Sequence, residues 1–209
     1  MIELQSSVEL KKWAASPVVV VFGSYCAAVE SQEYGAAEEL GSRLAQNGYV
    51  VCSGGYEGIM EAVLKGASYG GGKSIGVLTQ YFEFINLQPN RWVQACVVAR
   101  GLIDRIQLFW ELGDAYIVLP GSTGTLAELA VSLEMINKSV TASKLLLCMG
   151  AYWKPVVDVI ATQVRPFHPG ETVESLVQFA ETPAELVTLL SEKIGSGDVG
   201  RAKVAKPRS

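Results

Sequence analysis

The chain has 209 residues, of which 49% are hydrophobic and 18% charged, and its formal net charge is −4. This composition favours one domain with a sizeable core over residues 1–194, followed by a disordered tail rich in Gly, Ser, Lys, Arg and Pro over 195–209. A protein that binds polymeric nucleic acid normally presents a basic face, so the acidic balance disfavours that class.

Membrane and disulfide classes are also disfavoured. No run of about 18 apolar residues predicts a membrane span, and the first residues lack a basic segment followed by a long apolar stretch. The four cysteines form no CxxC pair, and each lies beside or within an apolar run: Cys26, Cys52, Cys96 and Cys148. We therefore expect buried thiols in a cytoplasmic protein that has no membrane partner.

Apolar, strand-like runs alternate along the chain with longer helical patterns. After an amphipathic helix over 8–15, strands are predicted over 17–22, 49–52, 74–78, 93–98, 115–119 and 145–149. Helices are predicted over 30–47, 59–69, 102–112, from Leu126 onward, and over 155–164 and 183–194, with an aromatic-rich loop over 81–90. This order predicts a single-domain α/β fold with a doubly wound parallel sheet and helices on both faces.

Three predicted turns after strands carry glycine, and a parallel sheet brings them to one edge. Amide groups at the start of the helix after 115–119 lack partners inside that helix, and with its dipole they favour phosphate. The candidate binding residues are Gly23, Ser24, Gly54, Gly55, Gly121, Ser122, Thr123, Gly124 and Thr125. None of the turns matches GxGxxG or GxxxxGK[ST], so a mononucleotide or sugar phosphate fits better than a dinucleotide or a Walker-type ATPase substrate.

Two charged residues accompany these turns. Glu128 lies four residues after Gly124, so its side chain should face back toward the turn, although a capping or solvated glutamate is the alternative. Arg105 interrupts an apolar helix whose first half should reach the same edge. A guanidinium group in apolar surroundings needs a partner of opposite charge. That partner is either a ligand phosphate or, in a structural ion pair, the carboxylate of Asp104 or Glu128.

Two segments resemble signatures of the LOG family, whose plant members are cytokinin riboside 5'-monophosphate phosphoribohydrolases. The segment Pro120-Gly-Ser-Thr-Gly-Thr-Leu-Ala-Glu128 resembles PGGxGTxxE, and Ser53-Gly-Gly-Tyr-Glu-Gly-Ile-Met60 resembles GGGxxGLM. The resemblance covers residues 17–165. It implies a Rossmann-like fold and a homodimer, possibly assembled further, with active sites near its interface. It also implies hydrolysis of a cytokinin ribotide or AMP-like nucleoside monophosphate to free base and ribose 5-phosphate, with no metal or other cofactor.

Residue by residue, the resemblance makes Glu128 the catalytic glutamate and Arg105 the catalytic arginine, while Gly121, Gly124 and Thr125 hold the phosphate. Three positions depart from the family pattern and leave the choice of substrate open. Ser122 replaces a glycine, Ile106 replaces a lysine of the plant enzymes, and Ile103 stands where a histidine often lies.

Cleavage of a bond between ribose and base builds oxocarbenium character, so the Glu128 carboxylate would stabilise positive charge or orient the attacking water. Arg105 would neutralise the phosphate or donate a hydrogen bond to the departing base. Aromatic residues that could stack on a base, or else belong to the core, are Tyr25, Tyr56 and Trp92. His168 reads as a loop residue without a role.

Three other functions compete with the hydrolase. Lysine decarboxylation, a label often given to this family, needs a Schiff-base lysine, and no lysine is predicted at the glycine-bearing edge. A non-catalytic nucleotide or molybdenum-cofactor carrier would have little use for the carboxylate of Glu128 beside an anion. A purely structural module leaves the three glycine turns unexplained.

Overall fold

The computed structural model describes residues 1–83, 87–138, 144–163 and 173–194. Its strands form one sheet in the order β1-β5-β4-β3-β2-β6-β7-β8, and all neighbouring pairs are parallel. The strands are β1 Ile2–Glu3, β2 Val18–Phe22, β3 Val50–Ser53, β4 Ser74–Thr79, β5 Ala95–Ala99, β6 Ala115–Val118, β7 Leu145–Met149 and β8 Gln178–Ala180. The helices are α1 Ser7–Ala14, α2 Gln32–Gln46, α3 Ile59–Tyr69, α4 Gln80–Glu83, α5 Leu102–Leu112, α6 Thr123–Asn137, α7 Lys154–Gln163, α8 Val173–Leu176 and α9 Pro183–Ile194.

The central strands are buried on both faces, which is why their sequences are continuously apolar. In β2, Val19 and Val21 belong to the core beneath α2, α3 and α9, whereas Val18 and Val20 belong to the core beneath α1, α5, α6, α7 and α8. The predicted doubly wound parallel sheet is therefore confirmed, as are its six predicted strands.

Four short elements were not predicted. The edge strands β1 and β8 have two and three residues, and α4 and α8 have four residues each, too few to show a period. The α4 turn overlaps the first three residues of the segment predicted as an aromatic loop. Residue 164 of the predicted helix over 155–164, His168 and the tail over 195–209 lie outside the described residues.

The chain reverses its direction of winding between β2 and β6. The helix that follows β2 packs on one face of the sheet, and the helix that follows β6 packs on the other. The connections therefore diverge and leave a crevice at the carboxyl ends of these two adjacent strands. Such a topological switch point is where ligands bind in open α/β sheets.

Helices α2 and α3 pack with their backbones in near contact. A Cβ at Gly66 would collide with the carbonyl group of Glu38, and a Cβ at Gly41 would collide with that of Val63. Each helix thus carries a glycine where the other helix approaches most closely. Because α3 begins directly after a glycine turn, this contact also fixes the position of that turn relative to the sheet.

Gly66→Ala should lower the free energy of unfolding by about 2 kcal/mol, because the two helices must separate to admit the methyl group. Gly35→Ala is the matched control, since Gly35 lies exposed in α2 with nothing within 4 Å of its Cβ position. The control should gain about 1 kcal/mol from better helix propensity. Urea unfolding of both variants measures the difference, and equal effects of the same sign would contradict close helix packing.

Candidate active site

The three glycine turns meet at one edge of the sheet, and Ser24 joins them. The backbone N–H of Ser24 donates to the carbonyl of Pro120 at 3.1 Å, and the backbone N–H of Ile59 donates to the carbonyl of Ser24 at 2.8 Å. A Cβ on Gly58 would lie 2.5 Å from the carbonyl oxygens of Ser24 and Tyr25, so only glycine permits this approach. Residues 23–25, 54–58 and 120–124 form one continuous border, which we call the glycine rim.

The third turn of the glycine rim opens α6 with unoccupied amide groups. Ser122 is the N-cap residue, but its exposed side chain makes no capping hydrogen bond. The backbone N–H groups of Thr123, Gly124 and Thr125 have no acceptor among the described residues, and the Cβ position of Gly124 faces open space. Free amides at the positive end of a helix dipole are suited to hold a phosphate.

Two side chains that precede α7 donate hydrogen bonds to backbone carbonyls at this turn. The hydroxyl of Tyr152 donates to the carbonyl of Gly121, and the indole Nε1 of Trp153 donates to that of Leu119, each at 2.9 Å. Gly121 also lies directly against the buried side chain of Thr125, leaving no room for a Cβ. The carbonyl groups of the turn are thus engaged, whereas the first three amide groups of α6 have no acceptor in the described part of the chain.

The remaining predicted binding glycines are packed rather than open. Gly54 and Gly55 are buried, and a Cβ on Gly54 would collide with the guanidinium of Arg105. A Cβ on Gly23 would collide with the side chain of Ile59. At these three positions the missing side chain makes room for protein atoms, and the ligand-binding role assigned to them stays a prediction.

Arg105 brings a full positive charge to the interior of this edge. Its side chain is only 8% exposed; Nε donates to the carbonyl of Val77 and Nη2 donates to that of Gly54, both at 2.8 Å. Nη2 also approaches the sulfur of Met60 at 3.9 Å, whereas Nη1 has no hydrogen-bond partner among the described residues. Burial lowers the pKa of Arg105, and Glu128 opposes that shift.

Glu128 lies in α6 one turn beyond the free amides and is partly exposed. Burial by the surrounding protein raises the pKa of Glu128 to about 7, while the charge of Arg105 lowers it. A carboxyl group with this pKa exchanges its proton near neutrality, a property common among catalytic acids and bases. The structure thus brings Glu128 and Arg105 into each other's field at the glycine rim.

Arg105 does not form the structural ion pair with Asp104 or Glu128 that the sequence left open as one alternative. Asp104 instead accepts the backbone N–H of Arg100 at 2.8 Å and pairs with its guanidinium at 3.5 Å. No carboxylate of the described residues lies within 4.0 Å of the Arg105 guanidinium. Backbone carbonyls satisfy the buried charge instead.

The three aromatic residues considered for a base occupy different places. Tyr56 is buried beneath Arg105, and Trp92 lies before β5, at the opposite edge of the sheet. Tyr25 remains exposed on the glycine rim. Beside it, Cys26 is exposed and corrects the expectation of four buried thiols, because it lies in the turn after β2 rather than within a strand.

Sequence reasoning missed four residues that contact Arg105 or support the Gly121 turn: Val77, Phe82, Tyr152 and Trp153. Their contacts join elements distant in the chain, so no local pattern could indicate them. Among the described residues no group of three or more His, Cys, Asp or Glu side chains is placed to hold a metal ion, and no helix is long and apolar enough to cross a membrane.

The parallel sheet with helices on both faces makes this chain a Rossmann-like α/β protein. A sequence model of the SLOG cluster4 family matches residues 16–175, and the chain belongs to this family. The match confirms the LOG-family resemblance carried by the two glycine-rich segments.

Relatives with assigned names are similar at modest identity. The cytokinin riboside 5'-monophosphate phosphoribohydrolase of Mycobacterium tuberculosis is 33% identical over 108 residues, which is 50% of this chain and 57% of that protein. The rice enzyme of that name, LOG, is 28% identical over 183 residues, or 84% of this chain and 74% of its own. An Escherichia coli pyrimidine/purine nucleotide 5'-monophosphate nucleosidase is 26% identical over 63% of this chain, which spans 30% of that protein.

Solved structures share the fold at lower identity. The molybdenum cofactor binding protein of Rippkaea orientalis superposes with a TM-score of 0.67 at 20% identity, covering 86% of this chain and 98% of its own. The Moco carrier protein of Chlamydomonas reinhardtii has a TM-score of 0.63 at 22% identity, covering 87% of this chain and 99% of its own. These structures establish the shared architecture.

Glu128→Gln should raise the free energy of unfolding by about 2 kcal/mol near pH 8 and leave it nearly unchanged near pH 4. Folding raises the pKa of Glu128 from 4.5 to about 7, so the folded protein favours the protonated form. The wild-type protein loses this advantage as the pH rises from about 4.5 to 7.

Chemical unfolding across this pH range checks the sign. Glu134→Gln, an exposed position on the same helix, is the control and should shift stability by less than about 0.5 kcal/mol at every pH. A Glu128→Gln variant that gains no stability at high pH would contradict the raised pKa of this carboxyl group.

Proposed function

We propose that this protein hydrolyses the N-glycosidic bond of a nucleoside 5'-monophosphate to free base and ribose 5-phosphate. The observation that carries the proposal is the placement of Glu128, with its pKa of about 7, one turn into a helix whose first amide groups have no acceptor among the described residues. Phosphate and carboxylate sites so close together suit a ligand that carries an anion at one end and develops positive charge at the other.

The 5'-phosphate would lie on the amides of Thr123, Gly124 and Thr125. The open space beside Gly124 admits an oxygen atom close to the backbone, and the exposed hydroxyl of Ser122 would add a donor where the family signature has glycine. A helix N-terminus stabilises an anion without a lysine, so this site does not depend on the lysine that Ile106 replaces.

Glu128 would act on the sugar. As the bond to the base breaks, the ribosyl carbon gains oxocarbenium character, and an ionised carboxylate nearby stabilises that charge or orients the attacking water. A pKa of about 7 leaves roughly half of the groups ionised at neutral pH. Activity should therefore increase with pH through this range.

Arg105 would assist through its remaining donor. Two of its nitrogens are committed to backbone carbonyls, and Nη1 is the one without a partner among the described residues. From a fixed position Nη1 would donate either to the phosphate or to the departing base. In both cases its charge also keeps Glu128 more acidic than burial alone would.

The names of the relatives favour nucleoside monophosphates as the substrate class. The plant and mycobacterial relatives are named for a cytokinin riboside 5'-monophosphate, and the Escherichia coli relative for pyrimidine and purine nucleotides. Cytokinin ribotide and AMP are thus the two substrates to compare. Exposed Tyr25 is the aromatic residue of the rim that would contact the base.

Purified protein incubated with AMP or with isopentenyladenosine monophosphate should release free base, and Glu128→Gln should lower kcat by about 10³-fold. Binding of ribose 5-phosphate should be kept or tightened, because the substitution removes a negative charge near the phosphate. Base release followed by chromatography and ligand affinity followed by calorimetry measure the two effects. In the wild-type protein kcat/KM should fall below about pH 7 as Glu128 becomes protonated.

Glu134→Gln on the exposed side of α6 should keep wild-type turnover and binding. Binding of nucleotide without turnover, unchanged by Glu128→Ala, would refute the hydrolase and favour a carrier of a phosphorylated ligand. That second function is the one that the names of the structural relatives suggest.

We further propose that the protein is a homodimer that pairs through α5 and α6. Between these helices runs an apolar groove of about 390 Å³, lined by Ile103, Ile106, Gln107, Trp110, Glu111, Val131 and Met135. Ile103 is 80% exposed, an unusual setting for a large aliphatic side chain. Apolar residues cover both the buried and the exposed sides of α6, as expected for a helix covered on two sides.

The first turn of α6 belongs to the glycine rim, so a second copy seated on this face would also cover the open side of the site. Glu111 is the one charged residue among those lining the groove, so a second copy of the chain, related by a twofold axis, would fit this mostly apolar surface.

Ile103→Asp combined with Val131→Asp should convert the dimer to a monomer. Each substitution occurs in both protomers of a twofold contact, so four carboxylates would be buried there without partners. Sedimentation velocity at micromolar concentration reports the change. Val159→Asp, at an exposed site on α7 away from the groove, should leave the dimer intact. A wild-type protein that sediments as a monomer would overturn this assembly.

A further inference from the structure

Tyr56 lies within the glycine rim, yet its side chain is turned inward and is 2% exposed. Its hydroxyl oxygen accepts the backbone N–H of Thr79 at 3.0 Å, and its backbone carbonyl accepts the side-chain amide of Asn90 at 2.7 Å. Thr79 is the last residue of β4, and Asn90 precedes β5. Tyr56 therefore ties the glycine turn after β3 to the carboxyl end of the neighbouring strand.

The ring of Tyr56 forms one wall around the Arg105 guanidinium. The distance from Cζ of Arg105 to the ring centre is 5.5 Å for Tyr56, 5.6 Å for Phe82 and 5.3 Å for Phe109. Phe82 stands edge-on to the ring of Tyr56 at 5.1 Å. A cation is attracted to such rings, and three of them restrict the positions that the guanidinium can take.

The hydroxyl bond of Tyr56 and one guanidinium bond of Arg105 reach the same strand, β4. Arg105 donates to Val77, two residues before the Thr79 that binds the Tyr56 hydroxyl. The other guanidinium bond ends on Gly54, two residues before Tyr56 in the same turn. The ring of Tyr56, the turn after β3 and the end of β4 thus all contact the Arg105 guanidinium or one another.

We propose that Tyr56 is a positioning residue that acts on Glu128 through Arg105: its ring confines the guanidinium, and its bonded hydroxyl fixes the ring. The proposal rests on the proposed function insofar as turnover depends on Glu128. Because the interaction between two charges depends on their separation, a guanidinium free to move away from Glu128 acidifies it less. Tyr56 acts through Arg105 and contacts no substrate atom in this scheme.

A buried tyrosine at the other edge of the sheet provides a matched control. Tyr116 is fully buried, and its hydroxyl donates to the backbone carbonyl of Trp110 at 2.8 Å. Removing this hydroxyl costs a comparable buried hydrogen bond without touching Arg105. A purely structural role for Tyr56 predicts that the two Tyr→Phe variants behave alike.

The test uses Tyr56→Phe, which keeps the ring, and Tyr56→Leu, which removes it. The carboxyl ¹³C signal of Glu128, followed by NMR against pH without ligand, should titrate about one unit higher in Tyr56→Leu and shift by less in the same direction in Tyr56→Phe. With AMP as substrate, the acid limb of kcat should move to higher pH. At neutral pH kcat should fall about tenfold while KM changes less than about twofold.

Tyr116→Phe should leave the Glu128 titration and kcat at their wild-type values. If Tyr56→Leu folds and the pKa of its Glu128 equals that of the wild-type protein, the proposal is overturned, whatever the activity of the variant. If Tyr56→Leu does not fold, an unshifted Glu128 in Tyr56→Phe has the same meaning. If the wild-type protein hydrolyses no nucleotide, the proposed function fails, and the titration still decides the role of Tyr56.

Discussion

The carboxyl edge of this sheet is organised around a buried guanidinium. Desolvating the charge of Arg105 is costly unless its donors are satisfied, and the carbonyls of Val77 and Gly54 meet two of them. The buried guanidinium constrains the residues around it. Gly54 has no room for a Cβ beside it, and three aromatic rings lie close to the cation. The same charge extends its field to Glu128 and opposes the effect of burial there.

The two faces of the sheet make different contributions to this edge. On one face, α2 and α3 meet through Gly41 and Gly66 with backbones in near contact, which leaves little freedom for the turn that precedes α3. On the other face, α5 and α6 carry the two charged residues and an apolar groove open to solvent. One half of the crevice is thus fixed by internal packing, while the other half borders the apolar groove between α5 and α6.

Much of this organisation was predictable because it depends on local periodicity. The run of four valines before Phe22 is long and apolar enough to predict a central strand, and the glycine-rich segments fix the positions of two rim turns. The edge strands β1 and β8 were missed because two or three residues show no period. The carbonyl partners of Arg105 were missed for a different reason: backbone carbonyls have no sequence signature, so the sequence indicated only a ligand phosphate or an acidic side chain.

If the first amides of α6 hold a phosphate as proposed, Glu128 would couple the binding of that phosphate to the binding of protons. A bound phosphate dianion adds negative charge near this carboxyl group and so favours its protonated form. By thermodynamic reciprocity, proton uptake then strengthens ligand binding to the same degree. With a free pKa of about 7, this exchange falls within the physiological range. Acidification would therefore increase the fraction of protein with ligand bound. It would decrease turnover, because turnover needs the ionised carboxylate of Glu128.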